Sequence, residues 1–137
     1  MLKFLLFLWQ FPQNLLGCII YLFVNPKQLI CNIDGQWVRY YVATRFQGGW
    51  GVSLGDLIFF GYKPSEISIR HEHGHQYQSF YLGWLYLLII GLPSFFGCGY
   101  DIWFHQKWSY EERQKWYYTK QPWEAWAEKL GNTQRYL

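Results

Sequence analysis

The chain has 137 residues, enough for a single domain. Hydrophobic residues make up 51% and charged ones only 15%, which excludes a disordered tail, a basic nucleic-acid-coating protein and a coiled coil. The net charge of +3 is too small and too dispersed for an electrostatic nucleic-acid footprint, so no nucleic-acid partner is expected. Aromatics reach 23%; their large apolar bodies, with a polar handle in Trp and Tyr, suit membrane interfaces and wet apolar grooves. Three cysteines, Cys18, Cys31 and Cys98, show no CxxC spacing, which excludes a complete disulfide framework and argues against a cysteine zinc site. The phosphate-binding patterns GxxxxGK[ST] and GxGxxG do not occur.

Residues 1–24 form a first apolar stretch, MLKFLLFLWQFPQNLLGCIIYLFV. Lys3 precedes an apolar run, but Gln10, Pro12, Gln13 and Asn14 interrupt it and no small-residue cleavage site follows. A plain span would place those polar residues mid-bilayer, and Pro12 removes a backbone donor there. The pattern predicts two short apolar helical pieces broken at Pro12, lying in or on a membrane, with Lys3 and Trp9 as interfacial anchors.

From residue 25 to residue 64 the texture changes. Asn25-Pro26 and Asp34-Gly35 are turn signals, while residues 37–46 and 52–62 are rich in β-branched and aromatic side chains. A small antiparallel sheet of two or three strands is expected over 35–62. Residues 52–60 could supply an edge strand on which an extended peptide pairs. Pro64-Ser65 then ends the sheet, and Ser65 can cap a helix over 65–81.

That helix carries the segment RHEHGHQYQ. His71 and His75 are four apart, so their imidazoles project from one face and can take adjacent vertices of a zinc tetrahedron. Glu72 follows the first of them, beside the metal rather than on it, where it can accept a proton from metal-bound water. This is the HExxH arrangement. His73 lies two residues from each and points away. A hydrolytic zinc site needs a third protein ligand, for which Asp101, His105, Glu111, Glu112, Glu124 and Glu128 are candidates. Pro122 opens and Gly131 ends a helix over 122–131, on which Glu124 and Glu128 share a face. One can bind metal while the other orients a motif histidine.

A second apolar stretch runs from residue 80 to residue 97, of which 82–97 forms a segment of its own after the motif helix. It is uncharged until Asp101 and broken by Gly83, Gly91 and Pro93. So small a domain would struggle to bury both apolar stretches, which places the motif near a bilayer surface.

Residues 68–83 and 116–131 resemble small zincin-type metallopeptidase-like proteins, mostly bacterial, whose relatives also occur as domains of polymorphic toxins. The pieces that carry the resemblance are HEHGHQYQS, LGWLYLLIIGLPS and YYTKQPWEAWAEKLG. Similarity to the gluzincin pattern, HExxH with a downstream ExxxD, implies His71, His75 and Glu124 as metal ligands and Glu72 as base. The chain departs from it in having Glu128 where Asp is usual.

The resulting expectation is one α+β domain over 1–137: a zincin-like active-site helix, a small antiparallel sheet and apolar membrane-associated helices. It would be a membrane-associated Zn²⁺ metallopeptidase acting on a peptide or protein, with Glu72 as base, His71, His75 and Glu124 on the metal, and Tyr77, Tyr117, Tyr118 or His105 steadying the oxyanion. The alternatives are a non-catalytic small membrane protein stapled by zinc, and an interaction or immunity module on a zincin scaffold.

Overall fold

Six α-helices and a four-stranded mixed sheet make an α+β fold in the computed structural model, which describes residues 1–133, 135 and 136. Helices α1 (Leu2–Trp9) and α2 (Phe11–Val24) meet at Gln10 with a bend of 86°. Pro12 sits in the first turn of α2, where its missing N–H is harmless.

Strands β1 (Lys27–Ile33) and β2 (Gln36–Val42) form a hairpin through Asp34-Gly35. Both turn residues have positive φ, 51° and 85°, as a tight two-residue connection requires. Strands β3 (Gly51–Leu54) and β4 (Leu57–Phe60) form a second hairpin through Gly55-Asp56. The strand order is β1-β2-β4-β3, with β4 parallel to β2. The sheet is therefore mixed rather than antiparallel, and it starts before residue 35. Residues 52–62 hold two strands rather than one, and of these only β3 lies at an edge of the sheet. The physical reason lies in β4: its apolar run LIFF is almost wholly buried and takes the central place, which the β3 hairpin reaches only by turning β4 alongside β2.

Ile33, Val38, Ile58 and Phe60 form one core cluster with Ile69, and Tyr41, Ala43 and Phe59 form another with Val24. Ile69 belongs to α3 (Glu66–Leu82), the helix of the HExxH segment. Ser65 caps α3 by accepting from the Ser68 N–H, and Glu66 sits favourably in its first turn. A 3₁₀ turn at Gly83–Leu85 and a π-helical turn at Leu87–Gly91 lead into α4 (Leu92–Phe104). A capping box of Ser109 and Glu112 opens α5 (Tyr110–Lys120), and Pro122 opens α6 (Pro122–Leu130). Among the described residues, Leu87–Phe104 is the one helical stretch long and apolar enough by itself to cross a bilayer, with 11% of it buried.

The crossing of α3 over α6 is unusually close. A Cβ on Gly74 would collide with the Ala127 carbonyl, and one on Gly131 with the Arg70 carbonyl. Gly131 has φ −77°, and the left-handed residue after α6 is Asn132 at 51°. Gly131 is thus required by helix contact rather than by the helix end. Replacing Gly74 by Ala should force the helices apart, lowering stability by about 1–3 kcal/mol. Urea unfolding of the ion-free chain measures this.

Candidate metal centre

Close packing of α3 on α6 brings three donor atoms into one triangle. His71 Nε2 lies 3.1 Å from His75 Nε2 and 3.0 Å from Glu124 Oε2, and His75 Nε2 lies 3.1 Å from the same oxygen. All three residues are buried, Glu124 completely. A tetrahedral ion with bonds of about 2.0–2.1 Å separates its donors by about 3.3–3.4 Å, within a few tenths of these edges.

The outer ring nitrogens decide what the inner ones can be. His71 Nδ1 faces Glu128 Oε1 at 2.7 Å, and a carboxylate only accepts, so Nδ1 donates. His75 Nδ1 faces Gln78 Oε1 at 2.6 Å, and Gln78 spends its amide N–H on the Trp123 carbonyl at 2.8 Å. His75 Nδ1 therefore donates as well. Neutral imidazoles so fixed turn bare lone pairs inward, where Glu124 adds a third. Only a cation or a proton makes that arrangement favourable. The donor set therefore suits a metal ion, and the residues present could hold one.

Without the ion, a proton takes its place. Burial would lower the His71 pKa, but hydrogen bonds to Glu124 and Glu128 outweigh it and push the group up to about 9. Glu124 is held well below the ordinary carboxylate range, because the charge on His75 and the hydrogen bonds from both histidines overcome its burial. Glu128 is also lowered, its hydrogen bonds from His71 and Thr133 overcoming burial. The other oxygen of Glu124 accepts from the Ser94 hydroxyl and, at 3.4 Å, from Tyr117.

Glu72 stands apart from the triangle. It is buried, and its Oε2 has no hydrogen-bond partner. Burial raises its pKa, against the pull of His75 and His71. It approaches the edge strand so closely that a Cβ on Gly51 would lie 2.9 Å from its Oε1. A cavity of about 840 Å³ opens over this group and is lined by His71, Glu72, His75 and Glu124 together with Tyr117 and Tyr118.

The remaining sequence candidates lie elsewhere. His105 pairs with Asp101 at 2.9 Å and stacks on Trp108, while Asp101 also binds Arg113 at 2.7 Å. Glu112 is spent in the capping box of α5, accepting from the Ser109 N–H, and Glu111 is exposed. His73 turns to Gln76 and Gln36, and Tyr77 also donates to Gln36. Of the four oxyanion candidates, Tyr117 and Tyr118 line the cavity. The sequence does not single out Gln78 or Ser94. Gln78 follows His75 by three residues, a spacing that could flag it; Ser94 lies in the apolar stretch and gives no signal. Comparison with models of protein families, with curated proteins and with solved structures finds no match.

Two outcomes follow from the triangle. His75→Ala and Glu124→Ala should abolish stoichiometric ion binding, Glu128→Ala and Gln78→Ala should weaken it about 10–100-fold, and His73→Ala should leave it nearly intact. Elemental analysis and calorimetric titration measure this. In chelator, the raised His71 pKa contributes stability fully below about 6.5 and loses it as pH rises through about 9. The depressed Glu124 pKa contributes above about 4.3 and loses its share as pH falls. Urea melts should therefore show greatest ion-free stability between those two ordinary values.

Proposed function

We propose that this protein is a membrane-associated zinc metallopeptidase of the gluzincin type, hydrolysing peptide bonds. The observation that carries this reading is the pairing of a buried His71–His75–Glu124 donor triangle with a buried, partnerless carboxylate oxygen on Glu72. His71, His75 and Glu124 would hold Zn²⁺, a cation well suited to two imidazoles and one carboxylate. When bound, zinc supplies Lewis-acid charge that acidifies water and polarises a carbonyl.

The chain's own groups do the rest. Glu72 Oε2, free of other hydrogen bonds, takes the water proton and returns it to the leaving amine. Burial raises its pKa, which makes it a stronger base toward that proton than an exposed carboxylate. Glu128 and Gln78 hold the two imidazoles in the donating tautomer. Tyr117 and Tyr118 line the cavity with hydroxyls that burial keeps protonated, so either can donate to a developing oxyanion. Strand β3 leaves one edge free of strand partners beside Glu72, where an extended peptide can pair.

A zinc staple without catalysis is the competing reading. It gives no reason to bury Glu72 unpaired or to keep a cavity over the donors. Glu72→Gln separates the two: the variant should keep one zinc per chain and lose peptide hydrolysis by about 10²–10⁴-fold. Unchanged hydrolysis, or none in the zinc-loaded parent, would sink the peptidase assignment.

Membrane association is supported by the exposure of Leu5, Leu22, Phe23, Trp84, Phe95 and Trp103 on the two apolar stretches. The protein is expected to pellet with membranes, and high salt should not release it, because net charge contributes little. Recovery of a monodisperse monomer in plain buffer would count against this.

A further inference from the structure

We propose that α2 and α4 frame a portal opening from the cavity onto the bilayer, through which a membrane-anchored polypeptide reaches Glu72 laterally. The substrate class rests on the peptidase reading above; the orientation of the portal does not.

The cavity walls and the apolar surface are made of the same residues. Leu16 and Ile20 on α2 and Phe95 and Ile102 on α4 line the cavity. Phe95 is 73% and Ile102 54% exposed, so the wall continues outward as surface. Of the twelve basic and nine acidic residues, only Lys3 and Asp101 fall within residues 1–24 and 80–104. Asp101 is buried and held by Arg113 and His105. A face this free of charge matches hydrocarbon, and exposed Trp103 supplies the amphipathic ring of an interfacial boundary.

Independent support comes from the backbone. Two breaks interrupt the helices here, at Gln10 and at Gly83. Side chains donate to the backbone carbonyls around each. Trp84 Nε1 donates to the Leu8 carbonyl at 2.7 Å and Asn14 Nδ2 to Phe7 at 3.4 Å. Trp9 Nε1 donates to the Phe80 carbonyl at 2.7 Å and Gln13 Nε2 to Gly83 at 2.9 Å. Water would satisfy such carbonyls unaided; irregular backbone at membrane depth requires protein donors. The polar residues that interrupt the first apolar stretch are thus turned inward: Gln10, Gln13 and Asn14 are buried, while Leu15, Ile19 and Leu22 on the same helix face out.

The native cysteines report on this directly, since Cys18 lies exposed on α2, Cys98 lies exposed on α4, and Cys31 lies on β1. Single-cysteine versions of the full chain, nitroxide-labelled, are reconstituted into phosphatidylcholine–phosphatidylglycerol vesicles. Labels at Cys18 and Cys98 should relax with dissolved oxygen and be shielded from an aqueous nickel chelate, with the reverse at Cys31. Nickel access at Cys18 and Cys98 would overturn the portal. So would spin–spin coupling between copies in lipid, which would mean that a second chain covers the face. The unmodified protein provides a check free of substitutions: brominated phospholipid should quench its tryptophan emission, and absence of quenching would also overturn the portal.

The substrate class is tested with the zinc-loaded parent and an apolar peptide, palmitoylated into the vesicles or left free in solution. The tethered form should be cleaved at least about tenfold faster. Ile102→Lys should reduce that ratio, and equal rates in the parent would refute lateral delivery. Cleavage of neither peptide, with lipid-facing labels and bound zinc, would overturn the peptidase reading while supporting the portal.

Discussion

Three lone pairs aimed at one point organise this molecule. The inner nitrogens of His71 and His75 and one oxygen of Glu124 stand 3.0–3.1 Å apart in a buried setting, where like partial charges repel strongly unless a cation or a proton lies between them. They remain there because everything around them is built to hold them. Glu128 and Gln78 fix the proton on the far side of each ring. Ser94 holds the second oxygen of Glu124 so that the first faces the imidazoles. Gly74 and Gly131 let two helices approach closely enough for the four side chains to meet. The sheet then places its β3 edge across Glu72, and α2 closes the opposite face of the sheet through Val24.

The chemistry of this centre was more legible in the sequence than the scaffold that carries it. The i,i+4 spacing of His71 and His75, and of Glu124 and Glu128, is a one-dimensional pattern that helix geometry converts directly into a shared face. Helix starts are equally local: Ser65 and Pro122 act within their own first turns. What could not be read was what chain order hides. The parallel pairing of β2 with β4 depends on where a hairpin inserts, not on the composition of either strand. Strand β1 lacks strict alternation because it is a mostly exposed edge, yet the Asp34-Gly35 turn already implied a strand before it. Gly131 looked like a helix terminator because composition cannot tell a backbone needing freedom from one needing space.

The apolar stretches show a related limit. Gln10, Gln13 and Asn14 made the first stretch a poor membrane span by count, and count alone cannot show direction. On a helix bent by 86° those residues all turn inward, to Ser79, the Gly83 carbonyl and the Asp56 N–H. Of the three residues that weaken the case for a span, Gln10 and Gln13 anchor the N-terminal pair to the motif helix, and Asn14 anchors it to the β3–β4 turn.

The close crossing of α3 and α6 carries one more implication. Imidazoles repeat every four residues on one helix and carboxylates every four on the other, so slipping α6 by one turn, about 5.4 Å, would still bring a carboxylate, Glu128, to the inner nitrogens. The spacing of the ligands alone therefore does not choose between the two alignments. The backbone helps to choose, because only glycine passes at the Arg70 carbonyl, and a one-turn slip would bring Arg135 to the place of Gly131. Gly131 acts as an indexing pin, while Gly74 gives the clearance that lets the two helices cross at all.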